Sequence, residues 1–413
     1  MKENTKNLEG IDEAEVPITA EEAKILKQFE ATGGDVKIER EEIKLKGLKY
    51  KWFIDHLYDI DPVKGLIWKN YDQIEKQRKA AFQLIKSVGS NLLRGKSVMN
   101  VSLPIIVMEP QTMLHRVAST YGYFPIYAEK IVEALDPIEK MKNFLTFSIA
   151  ALYGNLQQMK PLNPIWGETY QGYLGNSSNK VYCEQISHHP PISQITIESP
   201  LFTVHATHYV EAATYPSSIR VINRGKNVAI FNDEQKTTYI IKERPETQIH
   251  GTIFGQRTMR YTGCMLIKDK TNKIYAQVRF NPEKQGMLEK FFSKTKATRP
   301  DFFKGLITKN KKLLKDTSRK AFYSKDMISY FEGEWLEYII IDGEYYWELG
   351  KKQPMDLFPA AEILPSDSAH RKDIQPLAKG DLEIAQKAKE ELENLQRYDR
   401  KLRAEFKKDL KKK

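Results

Sequence analysis

The octapeptide Glu184-Gln185-Ile186-Ser187-His188-His189-Pro190-Pro191 is the most informative stretch of this sequence. Two adjacent imidazoles precede two prolines, and each proline removes a backbone donor and fixes φ. A strand that enters at Val181 should therefore stop at the prolines and leave both histidines at a rigid mouth. Histidines held in such a place can bind an anion.

The histidine pair also admits two other interpretations. The side chains could be ordinary strand surface, because histidine is common at half-buried positions, and the pair alone does not decide between this and an anion site. The pair could instead be half of a metal site, but zinc sites draw their ligands from short Cys or His spacings. The only two cysteines, Cys183 and Cys264, are far apart, and no further ligands lie nearby, so no metal is expected.

Length, hydrophobic content and cysteine count limit the class of protein. A chain of 413 residues with 41% hydrophobic residues can bury a large core, in one big domain or in two to three ordinary ones. Two cysteines give no disulfide framework, and the polar start of the chain has no apolar signal region. No window approaches the roughly 18 consecutive apolar residues of a membrane span. We therefore expect a cytoplasmic protein whose contact with membranes is peripheral and transient.

The charge distribution indicates an anionic partner. The formal net charge is +11, which suits either nucleic acid or the acidic cytoplasmic leaflet. Residues 290–325 contain twelve Lys or Arg against two acids, and this segment predicts a membrane-surface patch at Lys311, Lys312 and Lys315. Three apolar pairs among these cations suit an interfacial surface, namely Phe291-Phe292, Phe302-Phe303 and Leu313-Leu314. A solvated basic loop is the alternative.

Helical patterns occur before the middle of the chain and at its end. Residues 1–45 are polar and indicate a flexible or weakly helical extension. Apolar residues at three- to four-residue intervals predict an amphipathic helix over residues 71–93. The sequence Asp136-Pro137-Ile138-Glu139 is typical of a capped helix start, and this helix should run towards residue 157. A charged stretch without Gly or Pro predicts a last helix from residue 380 onwards.

Period-two alternation dominates the rest of the chain and predicts strands. Every second residue is mostly apolar over residues 202–210 and 274–280, and similar short runs occur at 228–231, 239–242, 252–255 and 259–267. So many consecutive strands would leave long edges in an open sheet, so we expect closure into a large antiparallel β-barrel. Barrels with many strands enclose a cavity. The predicted fold is mainly β, of the α+β class.

The terminal helix carries a further candidate site. Lys389, Glu393 and Arg397 stand at i, i+4 and i+8 and so share one helix face. Periodicity alone favours a solvent-facing ladder of ion pairs over a binding site.

Four further segments join the octapeptide in a resemblance to the oxysterol-binding protein family, over roughly residues 87–397. Each is similar to a family motif in sequence and in order along the chain. These segments are Ser102-Leu103-Pro104-Ile105 with Glu109-Pro110, Lys160-Pro161-Leu162-Asn163-Pro164-Ile165-Trp166-Gly167-Glu168-Thr169, Glu332-Gly333-Glu334-Trp335 and Lys389-Glu390-Glu391-Leu392-Glu393-Asn394-Leu395-Gln396-Arg397.

The resemblance implies a fold and a set of boundaries. It implies a near-complete antiparallel barrel that encloses a lipid cavity, with helices and a mobile lid on its N-terminal side. The lipid-binding domain would occupy residues 46–413, after the extension at 1–45. Within it, residues 71–103 would form the lid, 164–345 the barrel and 378–413 the C-terminal helix. The chain resembles a short, single-domain and monomeric member.

The resemblance also implies a function and its residues. Family members extract phosphatidylinositol 4-phosphate and exchange it for a second lipid, a sterol or phosphatidylserine, between membranes. The matching positions imply that Leu103, Pro104 and Leu162 contact the acyl chains at the lid. They imply that the headgroup is bound by Lys160, Asn163, His188, His189, Lys389, Glu393 and Arg397.

Three departures from the family pattern accompany the resemblance. Sterol binders often carry a polar amide on the helix before the Lys160 motif, and the matching residues 148–153 lack it, which argues against a sterol. Trp166 and residues 367–373 also differ from the usual pattern. Neither of these two is expected to touch the headgroup residues.

Two other function classes are not supported, and a third stays open. Gly95-Lys96-Ser97 echoes a phosphate-binding loop, but its spacing from Gly89 is one residue too long and a helix precedes it. No other catalytic signature is present, so we expect neither an enzyme nor a cofactor. No nucleic-acid motif accompanies the positive charge, so no nucleic-acid partner is expected. A lipid sensor that does not transport would use the same pocket as a carrier.

Overall fold

The computed structural model describes residues 58–61, 64–89, 93–95, 97, 101–156, 159–281, 299–316 and 318–412. The predicted extension at 1–45 and the pair Phe291-Phe292 lie outside these residues. The helices are α1 (Tyr71–Val88), α2 (Met113–Ser119), α3 (Phe124–Glu133), α4 (Pro137–Ala150), α5 (Ile374–Lys379) and α6 (Leu382–Lys412). The strands are β1 (Tyr58–Asp61), β2 (Gly65–Trp68), β3 (Met108–Thr112), β4 (Lys160–Leu162), β5 (Thr169–Leu174), β6 (Lys180–His188), β7 (Pro191–Glu198), β8 (Phe202–Tyr215), β9 (Ser218–Asn223), β10 (Asn227–Phe231), β11 (Thr238–Glu243), β12 (Glu246–His250), β13 (Thr258–Asp269), β14 (Tyr275–Phe280), β15 (Phe302–Thr308), β16 (Met327–Glu334), β17 (Tyr338–Ile341), β18 (Glu344–Glu348) and β19 (Leu357–Pro359).

One sheet of 17 strands contains all the strands except the parallel pair β3–β4. Its strands pair antiparallel, and β5, β6, β7 and β8 follow one another as neighbours. The long strand β8 then pairs with β10 along its first half and with β9 along its second half. β10 pairs with β11 and β9 pairs with β12, and both β11 and β12 then pair with β13. From β13 the sheet continues in order through β14 to β18. The predicted mainly β fold, a near-complete antiparallel barrel, is confirmed.

The two ends of the strand series are β18 and β19, and no pairing between them occurs among the described residues. Helix α4 packs beside β18, where the Tyr346 hydroxyl donates to both carboxylate oxygens of Glu139 at 2.9 Å. This contact covers the end of the sheet with a helix. The barrel extends a little beyond the predicted range, because β18 ends at Glu348 and β19 follows.

The core lies between helices α3 and α4 and the inward face of β8, β10 and β11. Phe202, Val204 and Ala206 alternate inwards along β8, as the period-two pattern predicted. Phe124 of α3 contacts Phe202 with ring centroids 4.5 Å apart, and Phe144 of α4 stacks on Tyr239 of β11 at 4.3 Å. Such aromatic contacts fix the helices inside the curve of the sheet.

The predicted cap of α4 and a cap of α1 that was not predicted both stabilise helix starts. Asp136 accepts a hydrogen bond from Ile138 N at 3.0 Å, and Pro137 occupies the first turn of α4. At α1, Asn70 accepts from Gln73 N at 3.1 Å. Such caps satisfy backbone donors that have no partner within the helix.

Two sequence predictions about elements are wrong, and one element was not predicted. Helix α4 ends at Ala150 rather than near residue 157, because the Tyr261 hydroxyl binds the Leu152 carbonyl at 3.2 Å and a 3₁₀ turn follows. Residues 252–255 form bends instead of a strand, since Gly251 and Gly255 adopt positive φ. The hairpin β1–β2, for which no strand was predicted, joins the sheet at β13.

Candidate functional site

Helix α6 carries three of the predicted headgroup residues and holds two of them, Lys389 and Glu393, against the junction that follows α1. Gly380, in the left-handed conformation with φ +84°, ends α5 and lets α6 begin in a new direction. Lys389 is only 4% exposed, and its Nζ donates to Glu393 Oε1 at 2.5 Å and to Ser102 Oγ at 3.0 Å. The Ser102 hydroxyl donates in turn to the other Glu393 oxygen at 2.8 Å. The closing helix is therefore hydrogen-bonded to the junction that follows α1.

Lys160 lies close to these groups at the start of β4. The parallel pairing of β4 with β3 orients Lys160, whose Nζ donates to Asn163 Oδ1 at 2.5 Å. Burial lowers the pKa of Lys160 to about 8, and the charge of Lys389 acts in the same direction while Glu393 opposes it. A desolvated ammonium beside a second cation is a group that an anion would stabilise.

The two histidines end β6, as the proline pair predicted. His188 pairs with Pro191 across the β6–β7 turn, and the two imidazole centroids are 4.7 Å apart. Burial lowers the pKa of His188 to about 4, with further lowering by His189 and Arg400. Its Nδ1 is buried and has no hydrogen-bond partner among the described residues. His189 is exposed, and burial and Arg400 lower its pKa as well.

Arg397 is bonded to a neighbour on its own helix and not to the histidines. Its side chain is exposed, and Nη2 donates to Asn394 Oδ1 at 2.7 Å, on the same helix. Arg400, one turn further along α6, is the arginine whose charge lowers the pKa of both imidazoles. Sequence reasoning missed Arg400, although its i+3 spacing from Arg397 places it on a nearby helix face.

A buried ion-pair network supports the loop that carries Asn163. Arg371 donates to the Asn163 carbonyl at 3.0 Å, to Glu168 at 2.8 Å and to both oxygens of Asp373 at 2.9 and 2.5 Å. The side chains of Arg371, Glu168 and Asp373 are 7%, 2% and 0% exposed. The expectation that the segment 367–373 does not touch the headgroup residues is therefore wrong.

Trp166 contacts the octapeptide and α6 through residues outside the predicted headgroup set. Its indole donates to the Ile186 carbonyl at 3.0 Å, within the octapeptide. The Arg403 guanidinium of α6 lies 3.7 Å from the centroid of the Trp166 ring. This cation–π contact links α6 to the loop between β4 and β5.

The three predicted acyl-contact residues adjoin the root of α6. Leu162 is fully buried and Leu103 is half-buried, in one apolar cluster with Leu377 of α5 and Ala385 of α6. Pro104 directly precedes a short 3₁₀ turn in this cluster. In the free protein these contacts attach the junction after α1 to the closing helices, and contact with lipid chains stays a prediction.

The predicted lid segment contains an amphipathic helix, and α1 packs against the bends that replaced the predicted strand. Arg257 donates to Gln77 Oε1 at 2.7 Å and to the Gly251 carbonyl at 3.1 Å, and Arg78 donates to the same carbonyl at 3.2 Å. Ile85 contacts Ile253 in a small separate cluster. The opening and closing of this segment stay a prediction.

A polar layer crosses the inward face of the barrel. Gln185, Ser193 and His208 lie side by side on β6, β7 and β8, and the Ser193 hydroxyl donates to Gln185 Oε1 at 2.5 Å. Burial and Arg244 lower the pKa of His208 to about 3. Arg244 donates to the Gly225 carbonyl at 2.9 Å, and no carboxylate partner is found for it within the described residues. Sequence reasoning missed this layer, although His208 lies within the alternation of β8.

The basic segment 290–325 is only partly surface. Lys311, Lys312 and Lys315 are exposed, as a membrane-facing patch requires. Phe303, Leu313 and Leu314 are buried in the core, so the prediction that they enter a membrane interface is wrong. Phe303 packs in the main core, to which the register of β15 directs it, whereas Leu313 and Leu314 pack in two smaller clusters with residues of β13, β14 and β15. Arg299 is also unavailable, because it pairs with Asp301, Glu334 and Glu337.

Two observations concern metals and membranes. Across the described ranges, no group of three or more His, Cys, Asp or Glu side chains is arranged to hold a metal ion. No helix in that part of the chain is both long and apolar enough to cross a bilayer.

Comparisons with known proteins match this sequence and fold. Residues 85–315 match the family model described as Oxysterol-binding protein. Oxysterol-binding protein 9 of Dictyostelium discoideum is 34% identical over 340 residues, which cover 81% of this chain and 78% of that protein. Oxysterol-binding protein-related protein 3 of Homo sapiens is 25% identical over 342 residues, which cover 76% of this chain and 35% of that protein.

Solved structures share the fold. The Osh1 ORD domain, crystallised with cholesterol, superposes with a TM-score of 0.62 at 20% identity, covering 94% of this chain and 90% of that one. The Osh3 ORD of Saccharomyces cerevisiae, crystallised with PI(4)P, gives 0.58 at 21% identity, covering 73% and 80%. With the matched family model and the Dictyostelium relative, the octapeptide and the barrel identify this chain as a member of the oxysterol-binding protein family.

Proposed function

We propose that this protein extracts phosphatidylinositol 4-phosphate from membranes and exchanges it for a second lipid. The observation that carries the proposal is the convergence of Lys160, Lys389 and the His188-His189 pair at one end of the barrel. These groups come from three separate motifs, and burial lowers the pKa of Lys160 and of His188. The protein would work in the cytoplasm as a monomer, in transient contact with anionic membrane surfaces.

The chemistry of the headgroup supports this assignment. A buried phosphate has to exchange its water for cations and directed donors. Lys160 and Lys389 supply the charge, and the imidazoles of His188 and His189 supply N–H donors. Glu393 already holds Lys389 and could accept a hydroxyl of the inositol ring. Asn163, bonded to Lys160, and Arg397, one helical turn beyond Glu393, complete the proposed set.

The apolar part of the lipid needs an enclosure. Exposing acyl chains to water costs about 0.8 kcal/mol per CH₂, so a carrier must surround the whole tail. A near-complete barrel whose end is covered by α1 and α6 suits this requirement. Leu103, Pro104 and Leu162 lie between these two helices and are proposed to contact the chains when the junction opens.

The polar layer inside the barrel favours a sterol over phosphatidylserine as the second lipid. With a pKa of about 3, the His208 imidazole is neutral near pH 7 and can accept a hydrogen bond, while Arg244 can donate one. A sterol hydroxyl needs one acceptor and one donor. The charged head of phosphatidylserine would lose its water entirely at this depth. His208 and Arg244 would therefore take the place of the amide that residues 148–153 lack.

Native mass spectrometry tests the headgroup assignment. The protein is incubated with liposomes that contain phosphatidylinositol 4-phosphate, sterol and phosphatidylserine, and we expect one lipid per chain, with the phosphoinositide displaced by one other lipid. Replacing both His188 and His189 by Ala should abolish retention of the phosphoinositide. His205→Ala is the matched control, because His205 is exposed on the outer face of β8. Unchanged retention in a folded double variant would remove the histidines from the site.

Two further experiments separate the finer alternatives. Arg244→Met should reduce retention of sterol more than retention of the phosphoinositide, whereas Arg224→Met changes an exposed arginine paired with Glu211 and should alter neither. A transfer assay between donor and acceptor liposomes distinguishes a carrier from a sensor. Binding without transfer would leave a phosphoinositide or sterol sensor at the membrane surface.

A further inference from the structure

The C-terminal half of α6 carries apolar side chains that nothing in the described protein covers. Five of them are between 44% and 64% exposed, although each is large. Their spacing of three, four, four and four residues places them on one face of the helix. We call this face the α6 stripe, and its members are Leu395, Tyr398, Leu402, Phe406 and Leu410.

The α6 stripe does not coincide with the face that forms the headgroup site. Lys389 is buried against Ser102, and Arg400 acts on both histidines. At 3.6 residues per turn, these two positions lie more than about 100° around the helix from the centre of the stripe. A partner could therefore cover the stripe while α6 keeps its contacts with the barrel.

The charges beside the α6 stripe select the kind of partner. Residues 395–412 contain eight Lys or Arg and three acids. An exposed apolar stripe flanked by cations is typical of a helix that lies in the interface of an anionic bilayer. A second copy of the helix would bring the same excess of positive charge against the first, which opposes self-association.

We propose that the α6 stripe docks this protein on an anionic bilayer, with its five apolar side chains in the boundary between headgroups and acyl chains. The flanking lysines and arginines then contact lipid phosphates and carboxylates. Docking through the stripe leaves Lys389 and Glu393, on another face of the same helix, free to keep their contacts with the barrel. The proposal does not depend on which lipid is carried and is separate from the patch at Lys311 and Lys312.

Flotation of the full chain with vesicles tests the proposal. The vesicles contain phosphatidylcholine with phosphatidylserine, and vesicles of phosphatidylcholine alone serve as the uncharged comparison. In Leu402→Glu/Phe406→Glu the stripe is lost, and binding to anionic vesicles should weaken at least about tenfold. Leu135→Glu/Leu364→Glu is the matched control, because these leucines are 97% and 49% exposed elsewhere and the added charge is equal. This control should bind within about twofold of the unmodified protein.

Two results would overturn the proposal. One is equal binding of the stripe variant and the control variant to anionic vesicles. The other is a dimer in solution that the stripe substitutions convert to a monomer, which would make a second copy the partner of the stripe.

A separate measurement keeps this test independent of the lipid-exchange proposal. Both variants should still bind a water-soluble short-chain phosphatidylinositol 4-phosphate like the unmodified protein, because the headgroup residues are unchanged. If circular dichroism shows that the Glu substitutions unfold α6, Leu402→Gln/Phe406→Gln replaces them in the same comparison.

Discussion

Two sets of lysines in this protein have the same chemistry and opposite surroundings. Lys160 and Lys389 lie at the barrel mouth, where Lys389 is almost fully buried and burial lowers the pKa of Lys160 to about 8. Lys311 and Lys312 lie beside β15 and are exposed to solvent. Both sets contribute equally to the formal net charge, but the first is shielded from water, Lys389 almost fully and Lys160 in part.

The difference in exposure separates lysines that can select one lipid headgroup from lysines that attract any anionic surface. A desolvated cation gains most from an anion that fits its remaining donors, so it can select a particular headgroup. An exposed cation is screened beyond a Debye length of about 8 Å at physiological salt and attracts any anionic surface. We therefore expect substitutions at the mouth to change specificity and stability, and substitutions at the patch to change salt-dependent membrane binding.

The largest effect is expected from Arg371→Met, in the buried network beneath the mouth. This change leaves the carboxylates of Glu168 and Asp373 without their partner and should lower the free energy of unfolding by about 3–5 kcal/mol. Urea unfolding measures it. Arg224→Met is the control, because the pair of Arg224 with Glu211 is 49% and 41% exposed and should contribute less than about 1 kcal/mol. Equal losses in the two variants would contradict the distinction between buried and exposed charges.

The network around Arg371 also shows where sequence reasoning stops. The motifs predicted Lys160, the histidine pair and Lys389 with Glu393, because each lies in a short segment with its own pattern. Arg371 is 203 residues away from Glu168 in the chain, and nothing local indicates that they meet. Ser102 lies within a motif that predicts no role for it, since its contact with α6 arises only from the fold.

Sequence patterns also leave open which helix face meets a site and which apolar residues are buried. Helical spacing predicted that Arg397 lies on the face of Lys389, and the family resemblance implied that it binds the headgroup. The arginine whose charge acts on the histidines is instead Arg400, three residues further along α6. Alternation predicted β8 and its inward residues, because a half-buried strand imposes period two. Leu313 and Leu314 gave no such pattern, and apolar residues among lysines fit a membrane interface and a core equally well. Only their packing against neighbouring strands decides for the core.

The exposed patch should have the second largest effect. Lys311→Glu/Lys312→Glu should weaken binding to anionic liposomes by about 2 kcal/mol at low salt, since each lysine near a charged surface contributes about 1 kcal/mol. The loss should shrink as salt rises, and the binding that remains should depend less on salt. Lys180→Glu/Lys351→Glu, at two exposed lysines outside residues 290–325, adds the same charge elsewhere and serves as the control. Unaltered liposome binding would return the patch to the solvated-loop interpretation.

The pKa of Lys160 predicts a pH effect that the patch cannot produce. A bound phosphate raises this pKa above its free value of about 8, so the complex holds one more proton than the free protein above that pH. Below pH 7 Lys160 is already protonated in the free protein, so it should not change the affinity for the phosphoinositide. From pH 7 to pH 9 the affinity should fall about tenfold. Isothermal titration with short-chain lipid measures this.

Lys160→Arg provides the control for the pH effect. An arginine keeps its charge throughout this range, so the affinity of the variant should stay level between pH 7 and pH 9. His188 does not interfere, because a group with a pKa of about 4 is already neutral there. If the variant loses affinity as steeply as the unmodified protein, another group is responsible.

The smallest effect is expected at Ser102, which couples the mouth to the junction after α1. Its hydroxyl accepts from Lys389 and donates to Glu393, the two groups that are proposed to bind the headgroup. A phosphate that draws Lys389 away should weaken this link, and Ser102→Ala should imitate that state at a cost of about 1 kcal/mol. Hydrogen exchange at residues 101–107 should then be about fivefold faster in the free variant.

Lipid binding should remove most of this difference between the variant and the unmodified protein, because the headgroup would already have broken the link. Ser119→Ala is the matched control, since that hydroxyl only donates to the Arg116 carbonyl of its own helix. Unchanged exchange at residues 101–107 in Ser102→Ala would mean that the apolar cluster of Leu103 and Leu162 alone holds the junction. The desolvated charges would then serve recognition without influencing the opening of the barrel.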